Sequence, residues 1–158
     1  MKIAIVKLIL AVAIAVSIGA EPTSAASFLE QLSLVLGPQA GPELTPPDSL
    51  FVSLAVAYGL CSTKFQLSEA LANNPRAMKA MADARQCQLD GLAAGSASIA
   101  KMKNDLSKPG AQAALKDLAL YWRVQMSEVG ISHSEAVTLK VLRTLKSHTE
   151  RIHLEADW

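Results

Sequence analysis

Cys61 and Cys87 are the only two cysteines of a 158-residue chain, and the helix-breaking triplet Asn73-Asn74-Pro75 lies midway between them. Asn74 suits an N-cap and Pro75 the first helical position, so one helix ends and the next begins there. Each cysteine stands thirteen residues from Asn74. If both arms are helical and fold back on each other, the two sulfurs come level and can be joined. The spacing predicts a disulfide-stapled αα-hairpin over Leu50 to Ser98.

The second arm carries an independent signal for close helix contact. Ala77, Ala80, Ala84, Cys87, Gly91, Ala94 and Ser98 recur at steps of three and four, so they share one helical face, and every member is small. A face of that kind lets a neighbouring helix approach to the short end of the usual interaxial range of about 8–10 Å. On the first arm Leu54, Tyr58, Cys61, Phe65 and Ala72 make the matching stripe, with large side chains to fill the space. An exposed docking groove is the functional alternative. Internal packing is preferred because the cysteines occupy the same two faces.

The compartment follows from the amino terminus. Lys2 and Lys7 flank the start of an unbroken apolar run, Leu8 to Ile18, followed by the small and polar Gly19 to Ala26. This is the layout of a secretory signal peptide, and the run is too short to span a bilayer. Residues 1–25 are expected to be removed, which leaves 26–158 as one domain without a stable membrane anchor. Two cysteines in an oxidising compartment pair, and a periplasmic or secreted location is expected. Without Lys2 and Lys7 the charge is close to balanced, so the basic footprint of a nucleic-acid binder is lacking.

Downstream of the leader, Ser27 and Glu30 form a capping box before a short helix that Gly37-Pro38 ends. Four prolines and two glycines make 37–49 a Pro/Gly-rich loop, with Asp48 or Ser49 capping the first hairpin helix. The second arm is read as one long helix to about Leu106, with Gly91 and Gly95 as points where it can bend. Lys108-Pro109-Gly110 marks a turn. A further helix runs from Ala111 to Val129, and a Ser132/Glu135 box opens the last one, from about His133 to Ala156. Strand signals are nearly absent. The expected fold is all-α: an antiparallel bundle of about four main helices plus a short N-terminal helix.

Catalytic patterns are missing. The three histidines, His133, His148 and His153, do not fall at the i and i+4 spacing of a helical metal pair, and they are expected to be solvent-exposed. No nucleophile elbow, phosphate-cradling glycine loop or metalloprotease motif occurs. The expectation is a non-enzyme without metal or other cofactor. Two surfaces qualify for recognition. The last helix sets Lys140, Arg143, Lys146 and Arg151 opposite its leucine stripe, a basic amphipathic pattern suited to an acidic partner. Met78, Met81, Leu92, Ile99 and Met102 supply a candidate apolar surface. The chain is therefore read as an exported protein-binding module (an inhibitor, immunity protein, chaperone or secretion-system accessory) whose partner is another protein. The alternative is a carrier that holds an apolar small molecule or lipid between bundle helices.

Overall fold

The computed structural model describes residues 44–157 together with Val35. The expected signal peptide over residues 1–25, the expected Ser27/Glu30 box and short helix, loop residues 37–43 and Trp158 lie outside the described residues. Four helices follow in order: α1 (Pro46–Ala70), α2 (Ala77–Asp105), α3 (Pro109–Glu128) and α4 (Glu135–Ala156). Each packs on its neighbour in the chain, and α4 returns to α1 to close the ring. Contacts between opposite ends fix the antiparallel order. Gln88, in the first half of α2, donates to Met126 O near the end of α3, and Lys108 ahead of α3 pairs with Asp157 after α4.

The start of α1 corrects the sequence expectation. Residues 46–49 belong to the first turn of the helix, not to the loop. Thr45 is the N-cap: its Oγ1 accepts the Asp48 amide at 3.3 Å and donates to Asp48 Oδ2 at 2.6 Å. Pro46 and Pro47 occupy N1 and N2, where a missing N–H breaks no intrahelical bond. Lys146 of α4 reaches Asp48 at 2.8 Å and lies over the Phe51 ring, which ties this end of α1 to α4.

Helix α1 is the most enclosed of the four. Its buried residues run from Pro47 and Leu50 through Phe51, Val52, Leu54, Ala55, Tyr58, Cys61 and Phe65, more than one face of the helix. By length and composition it could cross a membrane, yet more than half of its most apolar stretch is buried inside the bundle. An all-round apolar helix is what the centre of a small core requires.

The hairpin expectation holds. Cys61 and Cys87 are bonded, with Cα atoms 5.4 Å apart, inside the range a disulfide needs. The second arm begins later than expected: Asn74 Oδ1 accepts the Arg76 amide at 2.9 Å within the turn, and regular helix starts at Ala77 with Arg76 at the cap position and no side-chain cap bond, so Asn74 is not its N-cap and Pro75 is not its first residue. Helix α2 is continuous across both glycines to Asp105. Its inner face drifts from the expected one: after Cys87 the buried positions are Gly91, Gly95, Ile99 and Met102, while Ala94 is exposed. A 3.6-residue helix slides away from a strict three-four alternation, and steps of four after Cys87 carry the seam round.

A Cβ placed on Gly95 would collide with the Trp122 indole, and one on Gly91 would meet the Met126 methyl at 2.8 Å. Helix α3 therefore fills the hollows that the glycines leave. The final helix also begins later than expected. Its cap is Ser134, whose Oγ accepts the Val137 amide at 3.4 Å, and not Ser132.

Candidate functional site

The connection from α3 to α4 contains the one histidine that the structure buries, against the expectation of exposure. His133 is 7% exposed and stacks on Phe65 with ring centroids 5.8 Å apart. Its backbone carbonyl accepts from Ser62 Oγ at 3.2 Å and from the Gln66 amide, while Ser62 and Thr138 hydroxyls meet at 2.9 Å. These bonds fasten the connection to α1 and satisfy polar groups that burial would otherwise strand. Gln66, Glu69, Ser132, His133, Ser134 and Glu135, with the exposed Ile131, line an open dish of about 490 Å³ beside it.

The dish resembles an acid–base site in composition but not in geometry. His133 Nδ1 lies 3.0 Å from Val129 O, and Nε2 lies 3.0 Å from Glu69 Oε2. Both ring nitrogens are thus engaged by the protein itself. A general base directs a nitrogen at the reacting group, whereas here both His133 nitrogens point at partners within the protein. Ser134 Oγ is occupied as the α4 cap. Among the described residues no three His, Cys, Asp or Glu side chains stand close enough to hold a metal. The cluster works as a strut between α1 and α4.

The basic face of α4 is also partly consumed. Lys146 pairs with Asp48 at 2.8 Å and Glu150 at 3.9 Å, and Arg151 donates to Asp117 of α3 at 3.0 Å. Only Lys140 and Arg143 of the four stand exposed with no ion pair among the described residues. On the same side Tyr121 and His148 rings lie 5.2 Å apart, joining α3 to α4. Burial lowers the His148 pKa below its ordinary 6.5, with Arg151 adding to the effect and Asp117 opposing it. Burial pushes the Tyr58 phenol up to about 12, helped by Tyr121 and Glu128, so it stays neutral in the core.

The five apolar candidates do not form one surface. Met78 is 86% exposed, Met81 and Leu92 are half-buried against the core, and Ile99 and Met102 are inside it. The drift of the inner face explains the last two. It also creates a face that the sequence reading missed. Ala82, Leu89, Ala93, Ala97 and Ala100 all project outward from α2, with Leu89 62% exposed. From Gly91 to Ala100 the chain carries no charge at all, and Asp90 and Lys101 close the two ends. The signal was available: ten uncharged residues in a helix with only one side against the bundle must leave uncharged residues in water.

No protein-family model, no curated protein and no solved structure matches this chain.

Proposed function

We propose that this chain is an exported, non-enzymatic recognition module that binds another protein through the outer face of α2. The observation that carries the reading is the exposure of Ala93, Ala97 and Ala100 on the uncharged stretch Gly91 to Ala100 of a long helix, with Leu89 exposed one turn before Ala93 on the same side. Large exposed apolar side chains scattered singly are ordinary, but a continuous uncharged face on a rigid element favours helix-against-helix contact. Small side chains let a partner helix approach closely, as they do on the inner face of the same helix. Export is supported by the apolar run Leu8 to Ile18 and by the disulfide, which suits an oxidising compartment. A role as inhibitor, immunity protein, chaperone or secretion-system accessory is compatible with such a scaffold.

The spent chemistry of the His133 dish supports a binding role over a catalytic one. A carrier role has less to stand on, because Trp122 and Met126 occupy the hollows beside Gly95 and Gly91. The test is comparative capture from the native extracellular or periplasmic extract, with wild type and Ala97→Glu as baits. A stoichiometric partner held by wild type and released by Ala97→Glu is expected. A partner retained equally by both baits overturns the placement on α2. Turnover of a substrate that disappears with His133→Ala would overturn the non-enzymatic reading.

A further inference from the structure

The ten residues of α2 from Gly91 to Ala100 carry no charge, exposed Asp90 and Lys101 bound them, and the order of these two charges identifies an occupant. Asp90 and Lys101 are both exposed. They are eleven residues apart, about three helical turns, so they lie along the same edge of the helix about 16 Å from each other. Between them the outward residues are Ala93, Ala94, Ala97 and Ala100. Lys101 has no ion pair among the described residues, and Asp90 accepts a hydrogen bond from Gln86 at 2.8 Å.

We infer that this face pairs with the same face of a second copy of the chain, the two α2 helices antiparallel about a two-fold axis near Gly95 and Ser96. Such an axis carries Asp90 of each copy to Lys101 of the other, forming two equivalent ion pairs. The inference rests on the reading of this face as a docking surface, which a second copy occupies when no other protein does. A two-fold contact uses one patch twice, and the patch must be complementary to itself reversed. An acid at one end, a base at the other and neutral alanines between them meet that condition. Parallel pairing sets Asp90 beside Asp90 and Lys101 beside Lys101, which like charges oppose. In the antiparallel arrangement Leu89 of each copy falls near Ala100 of the other, a large side chain over a small one. The alanines let the backbones approach as closely as α1 and α2 do.

One helix face offers less than the roughly 800 Å² per partner of a standard stable interface, so the expected dimer is weak, with a Kd on the order of 10–100 µM. The experiment uses the oxidised, exported protein in sedimentation velocity from low micromolar to several hundred micromolar. Wild type should shift from monomer to dimer across that range. Asp90→Lys and Lys101→Asp each replace both attractive pairs with like charges, and each should weaken self-association about tenfold or more. Mixing the two variants restores both pairs, since one copy then carries lysine at both ends and the other aspartate. The mixture should therefore dimerise where neither variant does alone. Both positions are exposed, and helical circular dichroism checks that each variant remains folded. Wild type that stays monomeric throughout, or a dimer indifferent to both charge reversals, overturns the inference. Either result leaves the recognition reading to be decided by the Ala97→Glu capture, which scores a different protein.

Discussion

Helix α2 brings Ala84, Cys87, Gly91, Gly95, Ile99 and Met102 to the core, whereas α3 brings Ala111, Ala114, Leu115, Leu118, Trp122 and Met126. Both are long helices with one buried side, but the first buries little side-chain area of its own through its middle. Burial of apolar area stabilises by roughly 25 cal/mol per Å², so the middle of α2 contributes little by its own side chains. It is held by what its neighbours supply: the sulfur of Cys61, the Met126 methyl and the Trp122 ring. Helix α3 supplies bulk and α2 supplies room. The difference teaches that a helix can be central to a fold while depending on others for its stability.

The comparison is broken most severely by removing the bulk. Trp122→Ala leaves a large void against Gly95 and should destabilise by about 3–5 kcal/mol, measured by urea unfolding at constant oxidation state. Trp122→Phe sharpens the point. The buried indole Nε1 has no hydrogen-bond partner among the described residues, so the change removes a donor unsatisfied there along with some packing. A loss well below that of Trp122→Ala is expected. Equal losses for the two would show that the bulk is not what counts.

Next in size is the covalent tie. Replacing both cysteines by alanine frees a loop with a sequence separation of 26 residues and should cost about 3–4 kcal/mol on the chain-entropy model. Unfolding of the double variant with and without reductant checks it. Reductant should then have no effect on the variant, while it lowers wild type to nearly the same midpoint. If the variant keeps wild-type stability, the small-residue half holds itself together without the staple.

The stapled hairpin was legible because its evidence is local: a turn triplet and two cysteines at equal distances from it. The four helices were legible for the same reason, each bounded by its own cap or proline. What escaped the sequence depended on tertiary context. Pro46 and Pro47 read as helix breakers until Thr45 is recognised as the cap that makes them N1 and N2. Ser132 and Ser134 offer competing caps two residues apart, and the bonds that pin His133 to α1 decide for Ser134. His133 looked like a surface histidine because its partners come from α1, more than sixty residues away. From Gly91 to Ala100 helix α2 is uncharged on both sides, so composition alone does not say which side faces inward there. The basic set on α4 was recognised as a group, but its ion pairs to Asp48 and Asp117 cross between helices and leave no trace in local spacing.

A finer cut separates the two glycines. Gly95→Ala directs a methyl into a rigid indole and should cost about 1–2 kcal/mol net, after the usual helix gain of alanine over glycine is credited. Gly91→Ala meets the flexible end of Met126 and Cys61 Sγ at 3.4 Å, so it should lose clearly less. Thermal unfolding of the two variants side by side decides the matter. Equal losses would mean that α2 shifts as a rigid body and that the identity of the α3 side chain is unimportant.

The smallest effects concern charge at the α1–α4 and α3–α4 contacts, and they differ in sign along the pH axis. Burial tends to raise the Asp48 pKa, but the hydrogen bonds from Lys146 and Thr45 and the nearby charges of Lys146 and His153 outweigh it, and the net shift is downward from 3.8. Its stabilisation is therefore complete above about pH 4 and is lost as pH falls through the depressed value, where the folded carboxylate takes up its proton. Asp48→Asn should lower stability at neutral pH and flatten the acid limb below about pH 4. His148 behaves differently because burial disfavours its charged form. Above pH 6.5 it is neutral in both folded and unfolded states and imposes no penalty. As pH falls below 6.5 the unfolded chain binds a proton that the folded chain resists, so stability declines until the folded value is reached. His148→Gln should remove that decline while leaving the Asp48 limb in place. Unfolding free energies measured from pH 8 to pH 2 on the two variants separate the effects. A His148→Gln curve that still falls between pH 6.5 and 5 would place the titrating group elsewhere in the bundle.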